Sequence, residues 1–143
     1  MKLVLETFLP YRLNRIASAV SRDFKAVYGH RYDLTVPEWR VLATLGEFGE
    51  MSATAIGAHS SMHKTKVSRA VRALEQRRWL KRREVLEDRR EEILSLTSLG
   101  RKAYGEIIPR ALAFEQSLVA SLGPDAAALL EALDLLEVHV GVR

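Results

Sequence analysis

The chain has 143 residues, no cysteine, and 22 basic against 18 acidic side chains, a formal net charge of +4. That length suits one modest domain with its own hydrophobic core, and the missing cysteines remove disulfides, thiolate metal sites and thiol redox sensing together. No apolar run has transmembrane length and no signal-peptide pattern stands at the start, so a cytoplasmic protein without membrane contact is expected.

The first segment carries Leu9, Leu13, Ile16, Ala17, Val20, Phe24 and Val27 at steps of three and four, one apolar face of a long helix. Its other face holds Arg12, Arg15, Ser18, Arg22 and Lys25, and Gly29 is the expected stop. A second helix is announced by Thr35-Val36-Pro37-Glu38. Thr35 suits its N-cap, Glu38 completes a capping box, and Pro37 fits the first turn, where no amide bond is lost. Trp39, Val41, Leu42 and Leu45 give it apolar contacts, and Gly46 to Gly49 should end it.

Ser52 is placed to cap a short helix through Ala53, Ala55, Ile56 and Ala58. Ser60 and Ser61 make a turn, and a longer helix runs to about Arg77. In that helix Val67, Ala70, Val71 and Leu74 share one face, which turns Lys64, Thr65, Ser68, Arg69 and Arg72 outward. Short helix, tight turn and basic-faced helix form a helix-turn-helix pattern. From Leu80 to Leu96 the period changes: Val85, Ile93, Leu94 and Leu96 flank the polar stretch Glu87 to Glu92, which suggests two short strands and a charged loop. The loop has neither Gly nor Asn, so a protruding wing is expected rather than a two-residue turn.

Thr97 should cap the next helix, whose apolar stripe is Ala103, Ile107, Ile108, Ala111, Leu112, Leu118 and Val119, with a kink at Pro109. Gly123-Pro124 ends it. A last helix covers Ala126 to Val140, with Leu129, Leu130, Leu133, Leu136 and Val140 along one side.

Charge is concentrated in the middle. Lys64 to Arg90 holds eleven basic and four acidic residues, a net of +7, which leaves −3 for the rest. Thr65, Ser68, Arg69 and Arg72 offer hydroxyl and guanidinium groups at helical spacing, the chemistry that reads base edges in a major groove. Arg89 and Arg90 at a hairpin tip suit the narrow, electronegative minor groove of A/T-rich DNA, and Asp88 can steady the Arg90 guanidinium. Ser61, His63, Lys64, Lys66 and Arg89 fall where phosphates would run. A basic helix alone is often just a solvated face; its combination with a helix-turn-helix spacing and a basic hairpin favours DNA.

Three motifs stand in order over nearly the whole chain: Leu34-Thr35-Val36-Pro37-Glu38-Trp39-Arg40-Val41-Leu42, the Val67-Ser68-Arg69 helix ending in Leu74-Glu75, and Asp88-Arg89-Arg90 followed by Leu96-Thr97-Ser98-Leu99-Gly100. Together they resemble the MarR family of bacterial regulators. The resemblance implies a mainly α fold with a small β-hairpin wing. Residues 34–100 would form the winged helix-turn-helix region, and residues 1–33 and 101–143 the dimerisation helices of a single domain, 1–143. It also implies a homodimeric regulator, a wing arginine falling on Arg90 with Asp88 as its partner, and a repressor relieved by a small aromatic or phenolic ligand. Arg78 departs from the pattern, standing where such sequences usually place a glycine.

Wide apolar stripes on the terminal helices point to a dimer independently, because about 60 residues of winged helix cannot cover them. The alternative is that they pack on each other within one chain. A symmetric partner is the commoner solution and calls for a pseudo-palindromic double-stranded operator. For an effector, the junction of dimer helices and reading head directs attention to Tyr11, Arg15, His30, Trp39 and Arg40. Tyr11 and Arg15, four apart, share a face and can grip a carboxylate. Trp39 is as readily a core residue, and Arg15 as readily part of an ion pair.

His59 and His63 are separated by the turn, so no two histidines share a helical face and no metal site is expected. Nucleotide loop, nucleophile elbow and catalytic triad are all missing from the sequence, so neither an enzyme nor a cofactor is expected. The other reading is an architectural or ligand-independent winged-helix DNA-binding protein, which would lack a large affinity ratio for one site over random DNA.

Overall fold

The structure, a computed structural model, describes residues 1–85 and 87–143, and the side chains of all of these but Asp88, Arg89 and Arg90. After a 3-10 turn at Leu5–Thr7 come helix α1 (Leu9–Tyr32), α2 (Val36–Phe48), strand β1 (Glu50–Ser52), α3 (Ala53–Ser60), α4 (Lys64–Gln76), strands β2 (Leu80–Val85) and β3 (Asp88–Leu96), α5 (Ser98–Ala120), a 3-10 turn at Gly123–Asp125 and α6 (Ala126–Val140). The fold is mainly helical with a small antiparallel sheet, as the sequence suggested.

Local signals set most boundaries. Glu38 N–H donates to Thr35 Oγ1 at 3.3 Å and Thr35 N–H donates to the Glu38 carboxylate at 2.9 Å, the reciprocal capping box that starts α2. Ser52 accepts from Ala55 N–H at 3.2 Å and Thr97 from Gly100 N–H at 3.1 Å, so both expected caps form. Helix α5 continues through Pro109, and α6 has the expected bounds.

Two expectations need correction. Helix α1 does not stop at Gly29 but runs one turn further, to an Asp33 C-cap at φ 51° whose N–H donates to Gly29 O. Packing overrides the local stop. Tyr28 is buried, and the Tyr32 ring sits 5.8 Å from Trp79, so the extra turn has its own contacts. Helix α2, by contrast, ends within the expected Gly46 to Gly49 stretch, at Phe48 with Gly49 as its C-cap, and the Tyr104 ring packs on Gly46 so closely that a Cβ would lie 2.3 Å from it.

The wing differs as well. The stretch expected as a charged loop, 87–92, is largely strand: β3 begins at Asp88 and Val85 pairs with Asp88. Between the pairs Glu84↔Glu92 and Val85↔Asp88 the register shifts, so the extra β3 residues are taken up as an irregularity rather than a loop. Finally, β1 has three residues, too few for a period to register. It joins the edge of the sheet, giving the order β1-β3-β2, with Met51 opposite Leu94.

The core lies between α2, α4 and the sheet. Val41, Leu42 and Leu45 from α2 meet Val67, Val71 and Leu74 from α4, closed by Ile56, Leu80, Leu94 and Leu96 and by Ala103 and Ile107 of α5. Each such side chain contributes about 1.5–3 kcal/mol on burial, far more than any surface ion pair. This block therefore holds α4 rigidly, with its polar side outward.

Candidate nucleic-acid interface

Helix α4 buries Val67, Ala70, Val71 and Leu74 and exposes Lys64, Thr65, Lys66, Ser68, Arg69 and Arg72. This is the division read from the sequence. At about 100° per residue, Thr65, Arg69 and Arg72 occupy the middle of the outer face, while Lys64 and Lys66 stand on opposite flanks. Ser61, at φ 53°, makes the turn between α3 and α4. His63 is the α4 N-cap, and its Nδ1 accepts from Thr65 N–H at 3.2 Å. The side chains of Asp88, Arg89 and Arg90 lie outside those described, so the minor-groove expectation for the wing is neither placed nor displaced.

Not all the basic residues counted between Lys64 and Arg90 face outward unengaged. Arg77 donates to the main-chain oxygens of Tyr32 (2.5 Å) and Asp33 (2.9 Å) and lies 5.1 Å over the Trp79 ring, tying the end of α4 to the end of α1. Arg82 bonds Glu75 and Glu92, both at 2.8 Å, and so braces the wing hairpin against α4. Those two carboxylates raise its already high pKa. Arg83 reaches Glu50 at 3.1 Å, across the sheet. Sequence reading missed these structural uses, since the partners of Arg77 and Arg83 are 33 to 45 positions away. Lys64, Lys66, Arg69, Arg72, Arg78 and Lys81 have no ion-pair partner among the described residues.

Arg78 adopts φ 61°, a left-handed conformation that costs a residue with a Cβ about 1–2 kcal/mol. Surrounding bonds hold it there. Its N–H donates to Glu75 O at 2.9 Å, and its carbonyl accepts from Thr97 Oγ1 at 2.6 Å. The chain must turn sharply at this point to leave α4 and enter β2, which is the use a glycine would serve.

The five residues suggested for an effector do not gather at one place within the chain. Tyr11 and Arg15 pair with each other, the guanidinium carbon 5.7 Å from the ring centre. His30 lines a small separate hollow of about 220 Å³ beside Gly29 and Asp33. Trp39 and Arg40 come together elsewhere, where both border two larger cavities. One, of about 580 Å³, lies among α1, α2, α5 and α6, walled by Phe24, Trp39, Phe114 and Leu133, with Arg40 and Glu115 as its charged groups. The other, of about 440 Å³, includes Glu47, His59 and Tyr104. Trp39 is half-buried, stacked on Tyr28 at 5.4 Å and edge-on to Phe24 at 5.4 Å, so it serves the core and the cavity walls at once. Burial pushes the Tyr28 hydroxyl pKa up, partly countered by Arg40.

The model of the MarR family matches residues 32–91, the stretch from the end of α1 through α2, α3, α4 and β2 into the first part of β3. An uncharacterized HTH-type transcriptional regulator of Bacillus subtilis, YwoH, is 34% identical over 89 residues, 62% of this chain and 64% of its own length. A MarR family transcriptional regulator from Silicibacter pomeroyi is 28% identical, with a TM-score of 0.78 over 94% of this chain and 91% of that one. Residues 32–91 are thus similar to the MarR family. BpsR of Bordetella bronchiseptica, whose DNA binding is regulated by 6-hydroxynicotinic acid, has the same fold at 22% identity and a TM-score of 0.81, over 96% of this chain and 98% of BpsR. Among the described residues, no helix is long and apolar enough to cross a membrane.

Proposed function

We propose that this chain is a homodimeric, sequence-specific regulator of transcription of the MarR type that binds a pseudo-palindromic operator. Helix α4 enters the major groove, where Arg69, Arg72, Thr65 and Ser68 read bases, while Ser61, His63, Lys64 and Lys66 hold phosphates. The wing, through Arg90 with Asp88 and Arg89, takes the adjacent minor groove. One observation carries this reading: α4 seals a four-residue apolar face into the core and turns an outer face of cations and hydroxyls, bearing no carboxylate from Lys64 to Leu74, to solvent.

Residues 34–100 then form the reading head, and residues 1–33 and 101–143 pair two heads. Leu129, Leu130, Leu135, Val138 and Val140 of α6 are 43 to 75% exposed, as are Ile16, Leu112 and Leu118 on the neighbouring helices at 42 to 54%. At about 1.5–3 kcal/mol per side chain, covering them against a second copy outweighs the cost of association.

The effector we assign to the 580 Å³ cavity is a small aromatic acid, its ring against Trp39, Phe24 and Phe114 and its carboxylate on Arg40. The regulation of BpsR by 6-hydroxynicotinic acid supports that chemical class. Selection of bound sequences from random DNA, followed by titration of wild type and Arg69→Ala at one salt concentration, tests the whole reading. Wild type should recover a two-fold repeated site, and Arg69→Ala should lose about 1–3 kcal/mol on it. Equal affinity for recovered and random DNA would instead indicate an architectural binder.

A further inference from the structure

The basic side of α1 is not simply a solvated face. Asn14, Ser18, Ser21, Arg22 and Lys25 line a cleft of about 670 Å³ whose opposite wall is Val36, Pro37 and Arg40 of α2 together with Ser61, His63 and Lys66 at the start of α4. Four cationic side chains, Arg22, Lys25, Arg40 and Lys66, border it; no carboxylate and no six-membered aromatic ring does. None of the four has an ion-pair partner among the described residues. Helix α4 also has no acidic residue in its first turn, so the positive end of its dipole adds to the field in the cleft.

Like charges held together without counter-charge repel one another, and an anion relieves that repulsion. Hydroxyls of Ser18, Ser21 and Ser61 add neutral donors, the mixture that suits phosphate oxygens rather than an aromatic ring. We propose that this cleft, which adjoins the aromatic-acid cavity and shares Ser21 and Arg40 with it, binds a small, non-aromatic, multiply charged anion of the phosphate class. Lys66 is central to the assignment. It stands about 100° around α4 from Thr65, turned toward α1 and away from the middle of the outer face. A bound anion bridges Arg22 and Lys25 to Lys66, occupying the Lys66 ammonium that would otherwise meet a DNA phosphate, and so weakens operator binding. That consequence, unlike the site itself, rests on the DNA-binding reading above.

The site is tested by calorimetry with pyrophosphate on the DNA-free full chain at fixed ionic strength. Wild type should bind, and the Arg22→Gln/Lys25→Gln double variant should bind about tenfold more weakly or worse, because two charge-assisted contacts are gone. Ser21→Glu, which places a carboxylate in the cleft, should weaken binding similarly. Absence of wild-type binding, or equal binding by all three proteins, overturns the proposal. The double variant is also titrated with operator DNA without pyrophosphate. Affinity near that of wild type supports a separate anion site, whereas a loss as large as that of Arg69→Ala would make the cleft part of the DNA track and overturn it. Because the calorimetry contains no DNA, a chain that binds no operator would sink the functional reading without touching this one.

Discussion

Between Leu34 and Ile107 the inward side chains are sealed: Val41, Leu42, Ile56, Leu74 and Ile107 are all fully buried. In α6 not one residue is buried, and Leu135 is 75% exposed although the helix is the more apolar of the two regions by composition. Both regions are apolar on one side at helical spacing, yet only the first has three layers of its own chain to close around it. Apolar content is therefore no measure of a segment's burial. What counts is whether enough chain is available to cover it, and the terminal helices have spent theirs on length.

The sharpest way to break this contrast is within α5, which belongs to both regions. A Cβ on Gly100 would lie 2.1 Å from Trp79 O, whereas one on Gly105 meets nothing within 4 Å. Gly100→Ala should cost about 3 kcal/mol, because backbone must move. Gly105→Ala should be neutral or gain about 0.5–1 kcal/mol from helix propensity. Urea unfolding of both variants decides it; equal losses would mean the head is no more tightly constrained than the terminal helices.

Next in size, Leu130→Glu should remove about 2 kcal/mol of association and halve the solution mass measured by light scattering. A variant that keeps a two-chain mass would show that α6 is not covered by a partner. Arg78→Gly should then stabilise the chain by about 1 kcal/mol, since it relieves the left-handed strain at a smaller cost in unfolded-state entropy. A loss on denaturation would show that the arginine side chain contributes more than its backbone costs.

The smallest effect joins the two regions. Tyr32 on α1 donates to the Glu106 carboxylate on α5, with Arg31 3.4 Å from the same oxygen. The Tyr32 bond, with Arg31, Lys102 and Arg110 nearby, holds the Glu106 carboxyl below its usual range. A depressed carboxyl adds stability that is present above its unfolded pKa and lost as pH falls through the folded one. Burial first, and the Glu106 bond second, raise the Tyr32 hydroxyl above 10.0; that contribution is present below the ordinary tyrosine value and lost as pH rises through the raised one. Tyr32→Phe should flatten the acid limb slightly and return the Glu106 titration, followed by carbon NMR, toward the ordinary range. An unmoved titration would mean that the cations, not the tyrosine, hold it.

Much of the head was legible because its signals are local. Thr35 with Glu38, Ser52, and Thr97 each cap a helix within three residues, and the buried stripe of α4 needs only its own periodicity. The braces were not legible: Arg77 to the end of α1, Arg83 to Glu50, and Tyr32 to Glu106 pair residues that no sequence period connects. Arg78 lay between the two. Its oddity could be seen as an arginine in a glycine's place, but its left-handed backbone needed the turn itself.

The concentration of charge between Lys64 and Arg90 shows the same division. Sequence alone determined which helix is basic and which of its faces points outward, because the apolar residues at i, i+3, i+4 and i+7 can face only the core. Tertiary structure decided which cations are engaged elsewhere, and it folded the polar side of α1 against the start of α4 to make a cleft. Periodicity reports the direction of a side chain about its own helix axis. It carries no information on what another helix brings to meet it.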